Sequence, residues 1–288
     1  MNVAISGPET AADLCSLALR FDVFFVDQFG VLHDGSAPYP GAVEALSSLK
    51  AAGKKIVLVS NSGKRAGPNE SRLRGLGFRP GSWDLFLSSG EVAWRKFSGQ
   101  LGAERLAPGT RCLLLSRGND RSAIDGLDLE PAKDGASADV VLLSGSEGDT
   151  RPMEFYRALL EPAARAGVPL ICTNPDKIML TEAGLKYGAG AIADLYEEMG
   201  GGVERIGKPF PAIYEAALRD LGDPPKDRIV GIGDSIEHDI AGAKGVGIAA
   251  ALVRSGILAA HGPAELEDAF ARYGATPDFL LPQFVWQA

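Results

Sequence analysis

The sequence predicts an α/β protein built on a doubly wound parallel sheet, and three observations carry that expectation. Short runs of near-continuous apolar residues recur along the 288 positions. Helix-period segments separate them, and four strand-like segments end at polar residues followed by glycine-rich or polar turns. Strands buried on both faces read as unbroken apolar runs rather than as alternation. Strand–helix alternation is the pattern of a parallel sheet.

Taken in order, the apolar runs are Asp22–Asp27, Lys55–Ser60, Asp84–Ser89, Arg111–Ser116, Asp139–Ser144, Val168–Thr173, Arg228–Gly233 and Ile248–Val253. Between the first two, Val43, Leu46 and Leu49 share one face of a helix that Gly53 terminates. Pro152–Ala166 reads as a helix kinked or broken at Pro162. Ile213, Ala217 and Leu221 line a helix that opens at Pro211 and closes at Gly222. The length suits two domains, or one large one.

Composition narrows the function. Against 29 basic residues stand 37 acidic ones, a net charge of −8. No basic footprint exists to displace phosphate counterions, so nucleic acid is excluded as a partner. Cys15, Cys112 and Cys172 are odd in number and far apart, which fits neither a disulfide framework nor a thiolate zinc site. No apolar run is long enough to span a bilayer, and the first twenty residues lack the pattern of a signal peptide. A cytoplasmic protein with no membrane partner is expected. Glycine supplies 36 residues, about twice its usual share of about 7%.

Four segments carry chemistry. FFVDQFGVLHDG places Asp27 at a strand tip, and VLVSNSG places Ser60 and Asn61 at the next. ERIGKPFPAIY puts Lys208 just before a proline-started helix, and IVGIGDSIEHDI puts Asp234 and Asp239 around a helix start. In an open parallel sheet, ligands gather at the carboxyl ends of strands. Carboxylates with water and a phosphate oxygen suit Mg²⁺, a hard octahedral cation. A hydroxyl, an ammonium and helix N-terminal amides suit a phosphoryl group.

In order and spacing these segments resemble the four motifs of the haloacid dehalogenase superfamily, and more closely its class IIA branch, the NagD and pyridoxal-phosphate phosphatase type. The resemblance extends to LSSGEVAWRKF, to the long insert between the second and third motifs, and to the TNPD element in ICTNPDKI. It implies a Rossmann-like core from residues 1–94 and 203–288, interrupted by an α/β cap over 95–202 that selects the substrate. It implies that Asp27 is a nucleophile forming an aspartyl-phosphate, that Ser60 and the Asn61 backbone bind the phosphoryl group, and that Lys208 holds both phosphate and Asp27. Asp27, Asp234 and the backbone oxygen of Phe29 would ligate Mg²⁺. Asp239, helped by Ser235, would orient the metal's waters. A small phosphorylated metabolite is the implied partner, and the resemblance is compatible with a homodimer.

One departure stands out. The branch's phosphatases carry a second Asp two residues after the nucleophile, which protonates the leaving oxygen and then activates water; here that position is Phe29. Its carbonyl can bind metal but its side chain cannot move a proton, and losing a positioned acid costs roughly 10²–10⁴ in rate. Turnover is therefore expected to be slow or confined to good leaving groups, unless His33 or Asp34 substitutes. Three readings follow: a Mg²⁺-dependent phosphatase, a phosphate-ligand binding or regulatory protein that keeps the metal site, or another chemistry of the superfamily.

Several residues also have plainer readings. Asp27 could form a turn or helix cap, Lys208 could be a solvated surface lysine, and Asp239 could sit in a first helical turn. Asn174 and Asp176 either face substrate or shape the turn at Pro175. His238 and His261 read as surface residues. Gly202–Lys208 imitates a P-loop but meets Pro209 where that loop needs a hydroxyl, and Gly188–Ala193 imitates a dinucleotide motif with no clear strand before it. Gly30, Gly63, Gly207 and Gly233 fall at or beside the four predicted strand ends, where backbone is expected to approach a ligand closely.

Overall fold

The computed structural model describes residues 8–11, 13–102, 105–181, 184–259 and 261–287. The chain divides into two compact units. The first comprises 1–60, 70–87 and 208–288, the second 61–69 and 88–207. The second unit thus contains the whole of 95–202 together with short flanking stretches on both sides and the segment after Ser60.

The first unit holds a seven-stranded sheet. Its order is Glu9–Thr10, Phe279–Leu281, Ala249–Val253, Ile229–Gly233, Val23–Val26, Lys55–Ser60, Leu85–Ser88. Val23–Val26 is buried at every position, as its unbroken apolar run requires. It pairs in parallel with Lys55–Ser60 on one side and with Ile229–Gly233 on the other. From this strand the chain winds outward in one direction, then returns on the opposite side with Ile229–Gly233 and continues to the far edge. The reversal falls between Val23–Val26 and Ile229–Gly233, the position where open α/β sheets bind ligands. Asp27 and Asp234 are the residues that follow these two strands.

The second unit carries a parallel five-stranded sheet in the order Val203–Arg205, Leu170–Cys172, Val140–Leu143, Thr110–Leu115, Leu129–Pro131. The helices Met153–Arg165 and Ala189–Glu198 bury Tyr156, Leu160, Ile192 and Tyr196 with Leu113, Val141 and Leu143 of the sheet in one cluster. A separate antiparallel hairpin joins Ile178–Thr181 to Gly184–Tyr187. The architecture is therefore the expected α/β class with a parallel core sheet. No helix among the described residues is long and apolar enough to cross a membrane.

All eight apolar runs form strands, with ends within two residues of expectation. The helix after the first strand runs Ala42–Ala51, its buried face made by Ala42, Ala45, Leu46 and Leu49, while Val43 is half-buried. Pro162 does not break its helix, which is continuous over Met153–Arg165. The proline sits in the last turn, where few intrahelical bonds follow it. The strands that sequence periodicity missed are short or charged, such as Leu129–Pro131 and Val203–Arg205. Leu129–Pro131 lies on the sheet edge, where proline removes no ladder bond that is needed.

Candidate active site

At the end of its buried strand, Asp27 is anchored by its own N–H, which donates to the Ile232 carbonyl at 2.9 Å. Asp234 follows the neighbouring strand, and Asp239 lies five residues later in the single π-helical turn Ile236–Ile240. Each of these three residues offers a carboxylate oxygen, and the three oxygens lie within 4.8 Å of one another. All three residues are buried. Lys208, whose side chain is 5% exposed, donates from Nζ to Asp27 Oδ1 at 2.5 Å and to Asp239 Oδ1 at 2.7 Å. Three carboxylates beside one ammonium give a formal charge of −2.

Glycine makes this packing feasible. At Gly30, with φ +87°, a Cβ would lie 2.1 Å from Asp234 Oδ2, and at Gly233 it would lie 2.0 Å from Asp239 Cγ. At these two glycines the backbone closely approaches protein carboxylates. Gly63 and Gly207 likewise meet protein atoms within the second unit, the Ser144 carbonyl and the Ser89 hydroxyl.

Burial pushes the Asp27 carboxyl well above its ordinary range, Asp239 and Asp234 add to the rise, and Lys208 pulls against it. For Lys208 burial opposes the charge, yet Asp239 and Asp27 outweigh it and hold the ammonium protonated. Tyr214 is raised by burial and by Asp239.

The remaining expected residues fall into two groups. Ser60 is buried at its strand end, and its Oγ accepts a hydrogen bond from Gln28 Nε2 at 2.6 Å. Asn61 opens the second unit, where its Nδ2 donates to Asp176 Oδ1 at 2.8 Å. Asn174 Oδ1 accepts from the Asp176 N–H at 3.3 Å, which is the turn-shaping role. The Ser235 hydroxyl caps its turn by accepting from the His238 N–H, while the Ser235 N–H donates to Asp239 Oδ2 at 3.1 Å. Ser235 therefore reaches Asp239 through its backbone, and its side chain serves the turn. His238, expected on the surface, is half-buried against this hydroxyl.

Phe29 is 45% exposed and packs edge-to-face on His33, ring centroids 5.7 Å apart. No hydrogen bond to its carbonyl is present among the described residues. Neither proposed substitute acid is arranged for the task. His33 is fully buried, its Nδ1 accepts from the Gly35 N–H at 2.9 Å, and burial pulls its pKa down to about 4. Asp34 Oδ1 accepts from Ser36 N–H, Ser36 Oγ and Ala37 N–H, each at 2.8 Å. These bonds, Ala37's the largest, hold its carboxyl at about 2.

Both motif imitations resolve structurally. The middle of Gly202–Lys208 is the strand Val203–Arg205, not a loop. Gly188–Ala193 follows a hairpin strand and opens a helix, and a Cβ at Gly188 or Gly190 would lie 2.1 Å from the Asp176 or Pro175 carbonyl. Its glycines serve close packing. Sequence reasoning missed Gln28. Its signal was a polar residue directly after Asp27 at the end of an apolar strand.

Two family models match the chain: haloacid dehalogenase-like hydrolase over residues 24–130, and a related hydrolase-like model over 205–286. D-glycerol 3-phosphate phosphatase of Mycobacterium tuberculosis is 28% identical, aligned over 85% of this chain and 66% of its own length. The chain thus spans just under two thirds of that relative. Haloacid dehalogenase-like hydrolase domain-containing protein 2 of Rattus norvegicus is 30% identical over 80% of this chain and 83% of that one. Among solved structures, a haloacid dehalogenase-like hydrolase from Brucella suis superposes with a TM-score of 0.80 at 29% identity, covering 96% and 100% of the two chains. The Mycobacterium tuberculosis glycerol phosphate phosphatase in complex with magnesium gives 0.67 at 26% identity, covering 84% and 70%.

Proposed function

Because the chain belongs to the haloacid dehalogenase-like hydrolase family, we propose that it hydrolyses small phosphate monoesters through Asp27 with the help of Mg²⁺. The observation that carries this reading is the buried cluster of Asp27, Asp234, Asp239 and Lys208 at the point where the strand order reverses.

The donor set fits a hard divalent cation. Its atoms are oxygens, its formal charge is −2, and a carbonyl without a protein donor lies two residues from Asp27. Asp27, Asp234 and the Phe29 carbonyl would hold the ion, which supplies positive charge between an incoming phosphoryl group and these carboxylates. Asp239 is held by Ser235 N–H and by Lys208 through its two oxygens, which suits a positioning role.

The chain's own residues then divide the work. Asp27 forms a bond to phosphorus as the ester bond breaks, and water later cleaves the aspartyl-phosphate to return the carboxylate. Lys208 fixes one Asp27 oxygen and presents an ammonium to the phosphoryl group. The Ser60 hydroxyl and the Asn61 backbone bind phosphoryl oxygens. The insert over 95–202 acts as a cap that excludes water and selects a small phosphorylated metabolite.

A second reading is favoured by Phe29 and by the engagement of His33 and Asp34: a phosphate-binding or regulatory protein with impaired turnover. Phosphate release from p-nitrophenyl phosphate with and without Mg²⁺ separates the two. The phosphatase reading expects Mg²⁺-dependent release that Asp27→Asn lowers by at least about 10⁴-fold. Mg²⁺ binding without any release favours the second reading.

A further inference from the structure

We propose that Phe29 makes this site selective for aryl phosphates, whose leaving group departs as a ring-stabilised anion and stacks on the exposed phenyl face. This rests on the phosphatase reading above and names its substrate class.

The first support is the ring itself. Phe29 lies two residues beyond the nucleophile and leaves 45% of its surface to solvent. Most other phenylalanines of the first unit, such as Phe24, Phe25, Phe86 and Phe279, are buried. Nor is the ring loose. It stands at 86° to the His33 ring, and His33 has no solvent exposure and is held by the Gly35 N–H. A Cβ at Gly35, where φ is +102°, would lie 3.0 Å from Phe29 Cε2, so the ring rests against bare backbone. The loop is tied underneath, with Gly30 N–H donating to the His33 carbonyl at 2.9 Å and His33 N–H to the Gln28 carbonyl at 3.2 Å. A fixed, half-exposed aromatic face is a ready partner for another ring, which prefers offset or edge-on contact.

The second support is the absence of a proton at the right place. Gln28, Phe29, Gly30, Val31 and Leu32 follow Asp27 and carry no transferable side-chain proton. His33 is enclosed, and Asp34 is bound into its own turn by three donors. Lys208 is clamped between two carboxylates. An alkoxide cannot leave readily without protonation, whereas a phenolate can.

The steps balance without an acid. As an Asp27 oxygen bonds to phosphorus, the phosphorus–aryl-oxygen bond breaks and its electron pair stays on the phenolate, which takes a proton from solvent. Water then bonds to phosphorus, the pair returns to the Asp27 carboxylate, and both water protons leave with the phosphate. The Asp27 carboxylate is itself a good leaving group, so its departure in this second step also needs no protonation.

The test compares kcat/KM for p-nitrophenyl phosphate, phenyl phosphate and glycerol 3-phosphate in the wild type, Phe29→Asp and Phe29→Leu. The wild type is expected to fall in that order, with the alkyl ester at least about 10²-fold below phenyl phosphate. Phe29→Asp should raise glycerol 3-phosphate turnover by roughly 10²–10⁴-fold. Phe29→Leu should keep the leaving-group order and raise KM for the two aryl esters by about 3- to 10-fold. If the wild type handles aryl and alkyl esters equally, selectivity is overturned while the phosphatase reading stands. If none of the three esters releases phosphate, both fall.

Discussion

The two parallel sheets are built alike and treat buried polarity differently. In the five-stranded unit, polar groups beneath the surface have found partners. Ser146 Oγ donates to the Tyr187 carbonyl at 3.0 Å, Tyr196 to the Val168 carbonyl at 2.7 Å, and Glu91 holds both Arg65 and Arg95. In the seven-stranded unit the carboxylate cluster carries a formal −2. That unit also contains all three buried side-chain atoms lacking a partner among the described residues: Gln28 Oε1, His33 Nε2 and Arg254 Nε. An unmet buried polar group costs about 1–3 kcal/mol. Satisfied polarity in one sheet fixes a fold, and the carboxylate cluster in the other is where we propose that a cation binds.

Breaking the cluster should produce the largest effect. Lys208→Met leaves Asp27 and Asp239 buried beside Asp234 without the ammonium that bridges them, so unfolding in urea should require about 3–5 kcal/mol less than in the wild type without metal. If the variant proves equally stable, the carboxylates are not confined as described.

A smaller effect is expected where charge is fully paired. Burial raises the Glu91 carboxyl, but Arg65, the Ala66 N–H and Arg95 outweigh it and leave the group below its ordinary 4.5. A depressed folded pKa contributes stability that is complete above 4.5 and lost as pH falls through the folded value. Glu91→Gln should therefore lower the thermal midpoint at pH 7, and the gap to wild type should close as pH drops below that range. A gap that widens toward acid pH would reverse the assignment.

The smallest effect concerns Asp34. Asparagine keeps the oxygen that accepts from Ser36 and Ala37, so Asp34→Asn should change p-nitrophenyl phosphate turnover by less than about twofold. A loss near 10² would make Asp34 the missing acid and overturn the reading of Phe29.

Much of this contrast was legible in the residues. Unbroken apolar runs located the buried strands, and the polar residues ending them located Asp27, Ser60 and Asp234, because strand burial and strand ends are written locally. Lys208 was legible as a motif, but not as the residue that spans Asp27 and Asp239. That bridge joins positions 181 and 31 residues apart in sequence and depends on tertiary packing. Asn174 left two readings open and Ser235 was read as helping Asp239; the side chains of both hold their own turns, since short polar side chains serve either purpose with the same sequence signature. Gln28 was hidden because a hydrogen bond to Ser60 across the sheet leaves no periodic trace.

The central claim, that the excess negative charge between the two central strands is a divalent-cation site, is tested most directly by calorimetric titration of Mg²⁺ into the wild type and Asp234→Asn. The account predicts one site per chain in the wild type and its loss in the variant, with both proteins equally folded by circular dichroism. Equal binding by both, or none by the wild type, would contradict it.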